Sequence, residues 1–205
     1  MKIILLVEGE TEKKALPQFF RRWLHGKIDP LPAIHTVNAK GCDNHLKECA
    51  LKASMYLKEN DVAAVFGLLD LYGPKTIPGH CKTTQEKCAY LRERLEKEVD
   101  SPRFKQHFAV HELEAWLLSQ PDIFPTEVKR AFPGRIANPE QVDSTEPPAK
   151  LLIRLYREKI KRDYKKTANG VELFSRLDPN VAYAKCPALA AFLNDMLACL
   201  KTAAH

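Results

Sequence analysis

The chain has 205 residues, 45% of them hydrophobic and 28% charged, enough apolar material for one good core and too ordinary a mixture for a disordered or fibrous protein. Lysine and arginine exceed aspartate and glutamate by 32 − 26 = 6. That mild surplus permits binding to a polyanion without demanding it, and it is weaker than in dedicated DNA-binding modules.

Residues 2–8 form a continuous aliphatic run, the pattern of a strand buried on both faces. Residues 11–25 predict a helix, because Ala15, Leu16, Phe19, Phe20, Trp23 and Leu24 recur at helical spacing, although Pro17 leaves its start open. A second strand fits 31–38, and a second helix fits 43–59 with Leu46, Cys49, Ala50, Ala53 and Leu57 on one face. Residues 62–69 read as another buried strand, followed by a Gly/Pro-rich loop at 71–80 and a charged helix at about 83–99. A fourth strand at 104–110 leads into a helix near Glu112. Strands alternating with helices predict an α/β fold, a mainly parallel four-stranded sheet flanked by helices on both sides. From Pro121 onward the strands stop. Short helices between prolines, a longer one near 147–163 and a last one near 186–201 predict a C-terminal helical appendage. The division expected is one domain over 1–205, with an α/β core at 1–120 and a helical extension at 121–205 packed on it.

The apolar run after Lys2 ends at Glu8, too soon for a secretory core, and no other stretch reaches membrane-spanning length. The six cysteines form no CxxC pair, which suggests reduced, buried or half-buried thiols in a cytoplasmic protein with no membrane partner. Cys42-Asp43-Asn44-His45 and His80-Cys81 could make a zinc site, but the paired spacing of structural zinc sites is missing.

In an open parallel sheet, ligands bind beyond the carboxyl ends of the strands. Glu8, Gly9, Glu10, Thr11 and Glu12 follow the first predicted strand, Asp70 the third, and His111, Glu112, Leu113 and Glu114 the fourth. Clustered carboxylates raise one another's pKa unless a cation compensates, and hard divalent ions take such oxygen ligands. Glu8, Glu12, Asp70, Glu112 and Glu114 are therefore the candidate metal ligands, with Gly9 permitting a sharp strand-to-helix turn. Thr11 or Glu12 could instead do no more than cap a helix. His111 is a candidate general base beside Glu112, or a hydrogen-bonded structural residue. The most basic stretch, 154–166, would form either a solvated helix face or a phosphate-binding track.

Val7-Glu8-Gly9-Glu10-Thr11-Glu12 resembles the opening glutamate motif of Toprim domains, found in topoisomerases, primases and the nuclease modules of the OLD (overcoming-lysogenization-defect) family. Asp70-Leu71-Tyr72-Gly73 stands where Toprim proteins carry Asp-x-Asp, with Tyr72 in place of the second acid. His111-Glu112-Leu113-Glu114-Ala115-Trp116, like the late Tyr164-Lys165-Lys166 and Cys186-Pro187 segments, resembles domain-of-unknown-function family 4276, a Toprim-like group. The resemblance implies a Mg²⁺- or Mn²⁺-dependent nuclease or nickase acting on nucleic-acid phosphodiesters, in some relatives beside an ATPase partner protein in anti-phage defence. It implies catalytic roles for Glu8, Asp70 and Glu112, and for a late lysine, either Lys166 or Lys165. Tyr72 puts a full two-metal centre in doubt and motivates the alternative, a non-catalytic scaffold or sensor subunit bound to an ATPase partner. A homodimer is also compatible with this reading.

Overall fold

The computed structural model describes residues 1–71, 74, 76–141 and 146–203. Tyr72, on which the question of a second motif acid turns, lies outside the described residues. Four strands, β1 (Lys2–Val7), β2 (Ala33–Asn38), β3 (Val62–Asp70) and β4 (Phe104–Ala109), form one sheet in the order β2-β1-β3-β4, every pair parallel. Between them run α1 (Glu10–Leu24), α2 (Cys42–Tyr56) and α3 (Thr84–Val99). The strand boundaries agree with the sequence reading to within two residues.

The aliphatic run of β1 is explained by its central position. Ile3, Leu5 and Val7 face one core, shared with α1 and the C-terminal helices, while Ile4 and Leu6 face the other, shared with α2 and α3. This is strand alternation with both faces covered, so each side chain meets an apolar layer. β3 repeats the pattern, with Phe66 and Leu68 on the first side and Val65 and Leu69 on the second. At Gly67 a Cβ would stand 2.0 Å from Gln106 Oε1 on the paired strand. A side-chain amide therefore occupies the space that any other residue at 67 would fill.

α1 buries Phe19, Phe20, Trp23 and Leu24, each fully buried apolar side chain contributing about 1.5–3 kcal/mol. The helix runs through Pro17 instead of starting after it, because that buried face outweighs the single N–H the proline lacks.

After β4 comes α4 (Glu114–Leu118), fully buried, and then a helical layer. Its elements are α5 (Thr126–Arg130), α6 (Pro148–Ile160), a π-helical turn (Lys166–Gly170), α7 (Val171–Arg176), α8 (Pro179–Lys185) and α9 (Pro187–Ala203). No strand occurs after Pro121 among the described residues. Phe174, Phe192, Leu193, Met196 and Leu200 join the same core as β1 and α1, so the layer covers a whole face of the sheet. Glu140 accepts hydrogen bonds from the amides of Ala188 and Leu189 at 2.8 and 3.2 Å, closing the first turn of α9. All six cysteines are free thiols, four buried and two half-buried. Among the described residues no helix is long and apolar enough to cross a membrane.

Candidate carboxylate site at the sheet switch point

From β1 the chain crosses through α1 to β2 on one side, and from β2 through α2 to β3 on the other. The carboxyl ends of β1 and β3 thus flank the topological switch point, where open α/β sheets form their ligand crevice. Glu8 follows β1 and Asp70 ends β3, so the topology alone brings them to one edge. Asp70 Oδ1 accepts the amide N–H of Leu113 at 3.0 Å, which ties the end of β3 to the start of α4. Glu112 precedes α4 and Glu114 opens it. Because Glu112 lies outside the helix, helical spacing does not separate the two, and both reach the same ammonium. Lys166 Nζ stands 3.2 Å from Glu112 Oε1 and 3.3 Å from Glu114 Oε2. The other Glu112 oxygen accepts from Ala149 N–H at 2.9 Å, at the head of α6.

Glu12 lies in the first turn of α1, whose N-cap, Gly9, makes no side-chain cap bond. Gly9 has an ordinary extended backbone (φ −139°), so the turn itself does not require glycine. The Glu12 carboxylate does: a Cβ at position 9 would stand 2.9 Å from Glu12 Oε2. Removing that Cβ lets the carboxylate fold back toward Glu8.

The electrostatics match this crowding. Burial raises the pKa of Glu8, and the neighbouring charge of Glu12 raises it further, against the Asp70 amide and Lys166. Burial likewise lifts Glu12, Asp70 and Glu114, with Lys166 opposing in each case. Lys166 itself is raised despite burial, because Glu114, Glu112 and Asp70 surround it. One ammonium thus faces several carboxylates, and the pocket is short of positive charge. Glu8 Oε2 is buried without a hydrogen-bond partner, an orphaned acceptor of the kind an absent ligand would satisfy. As the side chains stand, no group of three or more His, Cys, Asp or Glu among the described residues is disposed to hold a metal ion. Still, an all-carboxylate donor set with one unsatisfied oxygen suits a hard divalent cation.

Of the residues singled out in sequence, Glu8, Glu12, Asp70, Glu112, Glu114 and Lys166 converge. Lys165 does not. It is exposed and precedes the π-helical turn, its amide donating to Asn169 Oδ1 at 2.8 Å, while the turn carries Lys166 inward. π-Turns of this kind concentrate at functional sites. His111 has a left-handed backbone (φ 64°), a costly conformation for a non-glycine residue, and lines an adjoining cleft. The basic stretch on α6 is interleaved with acids: Arg154 pairs with Glu146 and Glu158, and Arg157 with Asp163. Cys42 and His45 both lie on α2, where burial lowers the His45 pKa to about 4.

Three neighbours were named in sequence but not assigned to this site. Cys42 and Asp43, at the head of α2, lie within electrostatic reach of Glu8; burial and then the Glu8 charge push the Cys42 thiol up to about 12. The strand-end rule, applied to β2 as to the other strands, would have found them. Tyr164 is buried with its hydroxyl unpartnered, and its pKa is raised by burial and then by Glu114.

The family model described as "Domain of unknown function (DUF4276)" matches residues 7–197. No curated protein matches the chain. Two solved structures of the C-terminal region of the Xanthomonas campestris pv. campestris OLD protein are similar in fold. The one phased with mercury is 15% identical, with a TM-score of 0.50, covering 99% of this chain and 98% of that one. The one phased with iodine is 18% identical, with a TM-score of 0.52, covering 98% and 94%. The likeness to these structures is one of fold, and it extends over the whole α/β architecture and the helical layer.

Proposed function

The chain belongs to the DUF4276 family, and on that footing we propose that it is a Mg²⁺- or Mn²⁺-dependent nuclease or nickase hydrolysing nucleic-acid phosphodiesters. The observation that carries this reading is the under-neutralised carboxylate cluster at the switch point, with Glu8 Oε2 buried and unpartnered. Glu8, Glu12 and Asp70 would hold the ion, which when bound supplies charge neutralisation at the phosphate and a more acidic water. Lys166 partly neutralises Glu112 and Glu114, and the bound ion would supply the positive charge that the phosphoryl oxygens need. Glu112, fixed by the Ala149 amide, would accept a proton from an attacking water, and His111 stands next to it in the chain. The test is cleavage of plasmid and single-stranded substrates with Mg²⁺ or Mn²⁺. Undiminished cleavage by a Glu8→Ala, Asp70→Ala double variant would overturn the assignment.

A second reading is favoured by one observation. The Lys166 ammonium already bridges two of the acids, as an internal cation does in a site that binds no metal. On that reading the chain is a non-catalytic scaffold or sensor for an ATPase partner in phage defence. Calorimetry with Mn²⁺ separates the two, since absence of binding at millimolar metal selects the scaffold.

A further inference from the structure

Beside the carboxylates, a cleft of about 680 Å³ opens between the end of β3 and α3. Leu71, Ile77 and Pro78 give it apolar walls, Lys82 and Lys87 supply cations, and His111 closes the side next to β4. Its volume falls within the roughly 300–1,000 Å³ of small-molecule sites, and its lining mixes apolar walls with charged and polar groups. Two of its walls are chain neighbours of the candidate ligands, Leu71 following Asp70 and His111 preceding Glu112. The cleft therefore adjoins the carboxylate site without sharing its acids. The nearest acid on α3, Glu86, accepts the amides of Lys82 and Thr83, each at 2.8 Å, as part of the α3 capping box. Its carboxylate is thus held by backbone amides at the helix end.

We propose that this cleft is a nucleotide subsite, taking the base of one nucleotide between its apolar walls and the attached phosphate on Lys82 and Lys87. The proposal rests on the nuclease reading and names its substrate form. A base within a duplex cannot enter such a cleft without leaving its stack, so the occupant is a nucleotide of a single strand or of a frayed end. The pairing of apolar walls with ammonium groups in one cleft suits a nucleotide, whose base and phosphate lie side by side.

The experiment uses the full chain in EDTA, so that it reports on binding without turnover. A fluorescein-labelled single-stranded oligodeoxynucleotide is titrated by anisotropy over a salt series, with dAMP and inorganic phosphate as competitors. The wild type is expected to prefer the single strand to a duplex of the same length, and dAMP to displace it about tenfold better than phosphate. The Lys82→Ala, Lys87→Ala variant should bind about tenfold more weakly, with the salt slope reduced by about 2. Ile77→Asp, checked for folding by circular dichroism, should lose the advantage of dAMP over phosphate. Unchanged binding by the double lysine variant overturns the inference, as does equal competition by dAMP and phosphate, or equal affinity for duplex. Each of these outcomes can occur while Mn²⁺-dependent cleavage persists. Conversely, loss of metal binding and cleavage would fail the nuclease reading while leaving this titration interpretable.

Discussion

Replacing Lys166 by methionine removes the one ammonium between Glu112 and Glu114 and keeps most of the side-chain volume. Breaking a fully buried ion pair costs about 3–5 kcal/mol. Glu114 is 3% exposed but Lys166 is 42% exposed, so water screens much of the loss. We expect about 1–2 kcal/mol at pH 8, or about 2–8 °C of melting temperature for a chain of this size. The pH dependence gives the sharper signature. Burial already raises the Glu114 pKa, and Lys166 opposes that rise. Without the ammonium the folded-state pKa climbs further above the unfolded value. A carboxyl of that kind costs stability as pH rises through the interval between the two values and recovers it as pH falls. The deficit of Lys166→Met should therefore be greatest at pH 8 and shrink toward pH 5. Thermal melts of both proteins in EDTA, over pH 5–8, measure it. A deficit that is absent, or flat across pH, would refute the assignment of Lys166 as counter-ion to these acids.

Gly9→Ala should change global stability by less than about 1 kcal/mol, because the clashing atom ends a flexible side chain, yet weaken Mn²⁺ binding about tenfold or more by displacing the Glu12 carboxylate. Calorimetry with urea unfolding separates the two effects. Gly67→Ala should cost about 1–3 kcal/mol through overpacking against Gln106, and Gln106→Ala in the same chain should restore part of it. His45, fully buried with its pKa lowered from 6.5 to about 4, should cost stability as pH falls below 6.5, by up to about 3 kcal/mol once pH is below 4. His45→Phe should remove that component, and parallel pH–stability curves for the two proteins would contradict it.

The sheet was legible because β1 and β3 are buried on both faces, and such strands announce themselves as unbroken apolar runs. The convergence of Glu8 and Asp70 was legible for a topological reason, since parallel strands deliver their ends to one edge whatever their separation in sequence. Other features depend on tertiary contact and left no periodic trace. Pro17 put in doubt the start of a helix that the packing of Phe19, Phe20 and Trp23 sustains from Glu10 onward. Gly9 suggested a conformational need where the need is space for the Glu12 carboxylate. The choice between Lys165 and Lys166 is made by a π-helical turn, whose spacing no amphipathic pattern records. Asp43 and Cys42 were weighed only for a zinc site, because β2 was not searched at its end as the other strands were.

The helical layer that supplies Lys166 also supplies α9, which covers β3 and β4 with residues from the last part of the chain. During synthesis the strands emerge first, and one apolar face of the sheet waits for its cover until α9 has left the ribosome. The acids at the switch point likewise wait for the ammonium of Lys166, so the sheet's cover and the site's counter-charge both come from the segment that follows the strands.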